Sequence, residues 1–272
     1  MSMEYARLVI VRGGGDIATG TIQKLHRAGF PVLVLETAQP SAIRRQVALS
    51  EAVYEGIAKV EDISAVLVCN WDDAKLLIAL GQVPIMVDPH CTVLDQVKPL
   101  ALVDAILAKR NLGTNRQMAG ITVALGPGFT AGEDVDVVIE TMRGHDLGRL
   151  ILTGTALPNT GTPGLIAGAA GERVIHAPST GVMHNIKTIG DPVRQGEIIA
   201  RIDDEPVLAT LDGIIRGLIR DGFAVTKGLK IADIDPRESE LHNCFTISDK
   251  ARCIGGSVLE AVMMLEHCQY GR

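Results

Sequence analysis

Some thirty residues near the start of the chain, Arg7 to Glu36, constrain its fold more than any other stretch. Arg7-Leu8-Val9-Ile10-Val11-Arg12 is a short β-branched run that reads as a buried strand. Gly13-Gly14-Gly15 follows, then Asp16 to Ala28 with Ile17, Ile22 and Leu25 at helical spacing, and Gly29 stops the helix. Pro31-Val32-Leu33-Val34-Leu35-Glu36 is a second strand, and the whole is one βαβ unit. Gly13-x-Gly15-x-x-Ala18 therefore sits after a strand and opens a helix, the setting a dinucleotide fingerprint needs. Gly13 permits the tight turn, Gly14 continues it, Gly15 lets a pyrophosphate approach the backbone, and Ala18 leaves room for helix against strand. The helix start offers free amides and a positive dipole end. Asp16 works against this, because a carboxylate there caps amides and repels phosphate. Glu36, about twenty residues on, is placed to bond ribose hydroxyls and favours NAD over NADP. The same residues also suit a plain βα turn kept for packing.

The alternation continues. Strands are expected over 65–69, 84–88, 121–125 and 136–140, with helices over 72–80, capped by an acid, and over 99–109, with Pro99 near its first turn. Strands alternating with helices predict an α/β fold, a Rossmann-like doubly wound parallel sheet, over residues 1–149.

The character changes afterwards. Residues 150–173 form a Gly/Thr-rich connection with little helical periodicity. From Ala177 the chain repeats itself at an offset of 32 residues: Ala177 matches Ala209, Gly181 Gly213, Gly190 Gly222, Val193 Val225, Gly196 Gly228, Ile202 Ile234 and Asp203 Asp235. Short strands punctuated by Gly at equal places fit two interlocked β halves. Residues 174–237 thus resemble a small all-β barrel-sandwich hybrid, the fold of biotinyl and lipoyl domains. Carriers of that kind attach their group to a Lys at the central hairpin. Here the hairpin reads Asp203-Asp204-Glu205-Pro206, so a swinging-arm role is not expected. Residues 238–272 end in a helix, with Val258, Leu259, Val262, Met263 and Leu265 as an apolar stripe expected to pack back on the first domain.

Composition excludes several classes. The net charge of −6 gives no broad attraction to nucleic acid or anionic membrane, and 3% aromatic content offers no stacking platform. No stretch approaches the roughly 20 apolar residues of a membrane helix. The first residues lack a signal-peptide pattern, and five cysteines without a Cys-x-x-Cys read as a reduced cytoplasmic thiol set.

Other candidate residues lie after the expected strands, where open α/β sheets bind ligands. Gly126-Pro127-Gly128-Phe129 follows one strand, and Glu140-Thr141-Met142-Arg143-Gly144-His145 the next. Glu140, Arg143 and His145 are the candidates for acid/base or anion-binding chemistry, and Asn159-Thr160-Gly161 makes a further polar turn. The bland alternative is two hairpins with a solvated Arg and His. His90 and Cys91 are weak candidates for a soft metal, since adjacent residues seldom chelate one ion.

Taken together, Val11 to Gly20, Leu125 to Phe129, Glu140 to His145, Asn159 to Gly161, Lys230 to Arg237 and Asp249-Lys250-Ala251-Arg252 resemble the YqeB-type accessory proteins of selenium-dependent molybdenum hydroxylases, nearly end to end. Arg44 to Val47 with Ser50 to Gly56 is also similar to Rossmann domains of siroheme-synthase type. The resemblance implies a maturation role, with the hydroxylase apoenzyme or other maturation proteins as partners. It makes molybdopterin cytosine dinucleotide a candidate cofactor beside NAD, and implies no settled catalytic residue. An NAD-dependent oxidoreductase and a non-catalytic scaffold are the alternatives, with self-association left open.

Overall fold

The computed structural model describes residues 6–159 and 171–270. Thr160 and Gly161 of the polar turn lie outside them. The chain divides into two compact units, one of residues 1–40, 48–159 and 247–272, the other of residues 41–47 and 160–246.

The first unit carries β1 (Val9–Arg12), α1 (Asp16–Arg27), β2 (Val32–Glu36), α2 (Ala52–Glu55), β3 (Ile57–Val60), β4 (Ile63–Val68), α3 (Trp71–Ala79), β5 (Val83–Val87), β6 (Ala101–Asp104), β7 (Ile121–Leu125), β8 (Thr130–Ala131), β9 (Val137–Ile139), β10 (Leu150–Ile151) and β11 (Gly154–Thr155). Nine strands form one sheet in the order β10-β9-β7-β6-β1-β2-β5-β4-β3. The interior pairs are parallel, but β10 runs antiparallel to β9 and β3 antiparallel to β4. In β1 every residue is buried. Leu8 and Ile10 meet Trp71, Ala74 and Ile78 of α3 on one face, and the alternate residues Val9 and Val11 point to the other.

The expected Rossmann-like doubly wound parallel sheet, with a barrel-sandwich-hybrid-like domain after it, is corrected here. The sheet is mixed, with antiparallel strands at both edges, and the β-rich region forms two separate four-stranded antiparallel sheets. The helix expected over 99–109 is absent. Leu100 to Ala105 is buried throughout and supplies β6, paired with β1 and β7. Pairing in the centre of a sheet overrides the helix signal of Pro99, and a fully buried apolar run has no period to betray it. The two residues Glu61 and Asp62 link β3 to β4, too short for anything but an antiparallel hairpin. The cap of α3 is Asn70, whose side chain accepts from the Asp73 amide at 2.9 Å, rather than an acid.

After the second unit the chain returns as α4 (Asp249–Tyr270). It crosses α1 at two glycines. A Cβ on Gly20 would lie 2.5 Å from the Ala251 carbonyl oxygen, and one on Gly255 would lie 2.5 Å from the Gly20 carbonyl oxygen. Arg7 ties the far end, donating to both carboxylate oxygens of Glu266 at 2.7 Å. Glu61, at the β3–β4 turn, accepts from the Ile247 amide and from Arg252.

The second unit holds β12 (Val174–His176), β13 (Gly181–Asn185), β14 (Pro192–Val193), β15 (Ile198–Ile202), β16 (Glu205–Leu208), β17 (Gly213–Leu218), β18 (Ala224–Val225) and β19 (Lys230–Asp235). Its sheets are β12-β19-β17-β14 and β16-β15-β13-β18, so each takes two strands from either half of the repeat. Met183, Ile199, Ile215, Ile231 and Ile234 meet in its core. Residues 41–47 lie along β17: the Leu218 amide donates to Ile43 O at 2.8 Å, and Arg45 Nε donates to Leu218 O at 2.8 Å.

The helix crossing gives the first prediction. Gly20→Ala lowers unfolding free energy by about 1–3 kcal/mol, the usual cost of overpacking. Gly256→Ala, whose Cβ meets open space, raises it by about 0.5–1 kcal/mol. Urea denaturation of both variants measures the contrast.

Candidate functional site

Between β1 and β6 the connections leave in opposite directions, β1 toward β2 and β6 toward β7. The carboxyl ends of β1, β6, β7 and β9 stand side by side there and carry most of the candidate residues.

The glycine turn comes first. Gly13 has φ +94°, and a Cβ there would lie 3.1 Å from the Ala105 carbonyl oxygen, so backbone packs on backbone. Gly14 is covered by protein: its carbonyl accepts from the Ser50 amide at 2.8 Å, and a Cβ would meet that nitrogen at 3.0 Å. Gly15 is different. It is the N-cap of α1, no side chain of a described residue caps it, and, its chain neighbours aside, no atom of a described residue lies within 4 Å of where its Cβ would stand. Thr19 fixes the turn from inside the helix, donating to Gly15 O at 2.9 Å and accepting from the Leu49 amide at 3.1 Å. Ala18 is fully buried, and Asp16 stands in the first turn of α1.

Glu36 faces this turn. Its Oε2 accepts from the Gly14 amide and its Oε1 from the Thr37 amide, both at 2.8 Å. Burial raises its carboxyl above the ordinary value, against the pull of these two amides. The side chain placed by sequence on a ribose is thus engaged in holding the turn.

Beneath the turn, Arg12 is buried. Its Nη1 faces Asp104 Oδ2 at 3.4 Å and donates to the Thr114 hydroxyl, and its Nη2 donates to Pro89 O at 3.0 Å. Thr114 in turn donates to Asp104 Oδ2 at 2.6 Å. Cys91 lies in reach of this pair. Its thiol is pushed up to about 11, chiefly by burial, and is therefore inert at neutral pH. His90 is exposed. Among the described residues no group of three or more His, Cys, Asp or Glu is arranged to hold a metal.

The β7 and β9 loops are bound up differently. A Cβ on Gly126 would meet Thr141 Oγ1 at 2.6 Å, and one on Gly128 would meet Arg110 N at 2.6 Å, so both glycines serve close packing. Glu140 is buried and accepts from the Met142 amide at 2.7 Å and the Leu157 amide at 2.8 Å. Arg143 forms a two-pronged ion pair with Asp249 at 2.9 and 3.0 Å, which raises its pKa. His145 and Asn159 are exposed.

Sequence reasoning passed over Lys250. It is half-buried in the first turn of α4, and its ammonium makes no hydrogen bond or ion pair with any described residue. Arg143, Asp16, Glu140 and Asp249 all lie within electrostatic reach. Burial first, then Arg143, lowers its pKa below that of an ordinary lysine, while the three carboxylates pull the other way. The signal was present: Asp249-Lys250-Ala251-Arg252 puts two cations in the first turn of a helix, the end where the dipole disfavours them.

No family model matches the chain. It is 51% identical over 261 residues to the uncharacterized protein YqeB of Escherichia coli K12, covering 96% of this chain and 48% of that protein. The chain therefore spans about half the length of the curated relative it matches. Among solved structures, it is similar to a succinylglutamate desuccinylase/aspartoacylase from Rhodobacter sphaeroides at 16% identity over 84% of this chain and 85% of that one, TM-score 0.26. An aspartoacylase family protein from Mesorhizobium loti gives 12% identity over 84% of each chain, TM-score 0.25. The product-bound ectoine utilization protein EutE from Ruegeria pomeroyi gives 14% identity over 83% of this chain and 56% of that one, TM-score 0.22. Superpositions at these scores assign neither a fold nor a chemistry. The YqeB likeness supports a YqeB-type chain and does not extend to a role in molybdenum enzymes.

The Glu36 geometry yields a prediction with a definite sign. Its folded carboxyl titrates above the ordinary value of 4.5. Between those two values the folded chain binds more protons than the unfolded, so this group makes stability decline as pH rises through that window. Glu36→Gln removes that decline. It also leaves one amide without an acceptor, at a cost of about 1–3 kcal/mol. Thermal unfolding of both proteins across the window measures the two effects.

Proposed function

We propose that the first unit binds the phosphate-bearing part of a nucleotide at the carboxyl ends of β1, β6, β7 and β9. We further propose that the chain is an accessory protein in the maturation of selenium-dependent molybdenum hydroxylases. Lys250 carries the reading: a half-buried ammonium with no hydrogen bond or ion pair among the described residues. The Gly15 N-cap of the same unit supports it, with no side-chain cap and open space above the backbone. A helix start and a lysine together make a fitting receiver for phosphate. Burial and Arg143 lower the pKa of Lys250, and Asp16, Glu140 and Asp249 work against that by favouring its charged form.

Molybdopterin cytosine dinucleotide carries a pyrophosphate, and the Gly15 backbone and Lys250 would hold it. The β7 and β9 loops, fixed by Glu140 and by Arg143 on Asp249, would form the wall beside it. The hydroxylase apoenzyme or another maturation protein would be the partner. NAD is supported less well, because both oxygens of Glu36 already accept backbone amides and His145 stands exposed.

A thermal-shift and calorimetric titration with CDP, CTP, molybdopterin cytosine dinucleotide and NAD tests this reading. The cytidine ligands raise the melting temperature with dose. Lys250→Ala weakens them by about 1.5–3 kcal/mol, roughly 10- to 100-fold, and Gly15→Val weakens them through the crowded backbone. Affinity falls as pH rises through the lowered pKa of Lys250, earlier than for an ordinary lysine at 10.5. Absence of any cytidine response sinks the proposal, and a response to NAD alone replaces it with the oxidoreductase. Failure of the chain to retain a hydroxylase apoenzyme in co-purification removes the maturation role while leaving nucleotide binding standing.

A further inference from the structure

The second unit holds a buried charge cluster that the reading above does not use. The pairing of β17 with β19 slips by one residue between Ile215 and Gly217. Arg216 is the extra residue, and a bulge of this kind re-aims a side chain out of the strand's alternation. Its guanidinium reaches Asp233, which Arg173 already holds. Arg173 Nη2 lies 3.0 Å from Asp233 Oδ1 and 3.3 Å from Oδ2, and Arg216 Nη1 lies 3.4 Å from Oδ2. Asp235 alongside is taken by Arg237, through Nε at 2.9 Å and Nη2 at 2.8 Å. Arg173 and Arg216 thus meet on Asp233, with the Arg237–Asp235 pair beside them.

Arg216 is left with the least. The long contact to Asp233 is its only hydrogen bond with described residues, and its Nε is buried without an acceptor. The side chain is only 15% exposed. A guanidinium offers five N–H donors, and burying one of them, Nε, unfilled is costly unless an acceptor reaches it. Gly217 brings a further cation near: its missing side chain lets Ile43 O approach, with Arg44 next to it. Arg44 and Arg216 both lie in electrostatic reach of Cys244.

We propose that Arg216 is the principal contact of an oxyanion site in the second unit. It takes a carboxylate or phosphate group on the Nε–Nη2 edge of its guanidinium, with Asp233 and Arg173 as positioning residues. The planar fork matches the two oxygens of such a group. The side chain turns its Nε edge outward to receive the ligand. This site depends on no residue of the nucleotide reading.

The test is calorimetric titration of the full chain with inorganic phosphate and, separately, acetate. Ionic strength is held constant, because phosphate also stabilises folded proteins by exclusion from their surface. The arginine Nε–H resonances are followed in parallel. One anion or both bind saturably and move one Nε–H resonance, identified by its absence from Arg216→Lys. Arg216→Lys keeps the charge, loses the fork and weakens binding about tenfold or more; Arg216→Gln abolishes it. Repeating the titration on Lys250→Ala protein separates this response from that of the Gly15 turn. If Arg216→Gln does not fold, the resonance in unmodified protein decides. No saturable binding of either anion, or binding undiminished in Arg216→Lys, overturns the site.

Discussion

The first unit depends on the buried pairing of Arg12 with Asp104. These residues end two neighbouring parallel strands at the place where the sheet's connections part, and their side chains are 6% and 2% exposed. Their attraction is tolerable in so dry a place because other groups complete it. Thr114 serves both partners, Pro89 O takes a second guanidinium nitrogen, and Asp104 Oδ1 accepts from the Ile106 amide at 3.2 Å. Four chain segments are thereby fastened at one point. Removing one member of such a set leaves an uncompensated charge, at about 3–5 kcal/mol. The glycine turn rests directly on this base, since Gly13 follows Arg12 and lies against Ala105. Whatever the turn binds, it binds on a platform whose position is set by this pair.

How much was legible follows from how local each signal was. The run from Arg7 to Glu36 contains its own evidence: two β-branched runs, a glycine turn between them and a helix with one apolar stripe. It folds into β1, α1 and β2. The 32-residue offset is similarly plain, carrying β13, β14 and β15 onto β17, β18 and β19. The stretch 99–109 misled because its helix cue, Pro99, is local, whereas the partners that make it a strand lie about ninety residues before and twenty after. Edge direction in the large sheet is set by hairpin lengths such as Glu61-Asp62, and β3, half-exposed, carries no alternation to reveal it.

At the site, the glycine residues were readable and their neighbours were not. The spacing of Gly13 and Gly15 says nothing of Ser50, which covers Gly14. Glu36 sits where a ribose-binding acid would, yet the amides of Gly14 and Thr37 claim it first. Glu140 and Arg143 were legible as charged residues near a strand end, but their partners, the Leu157 amide and Asp249, are set by tertiary packing. Lys250 is more than a hundred residues from the loops it joins. Only the awkwardness of a cation opening a helix marks it in the sequence.

The path of the chain through its two units has a consequence for biosynthesis. Residues 41–47 belong with strands made some 130 to 190 residues later, and the layer of α1 is completed by α4, the last helix described. Neither unit is therefore whole until these later segments have been made. The early sheet emerges with the α1 glycine seam bare, and the Ser41–Val47 segment waits for β17. Closure of contacts so distant in sequence is slow, and until then apolar surface stands open to neighbouring nascent chains. Each unit thus waits on a distant segment before it can close, and its yield in a cell is governed by how well that interval is protected.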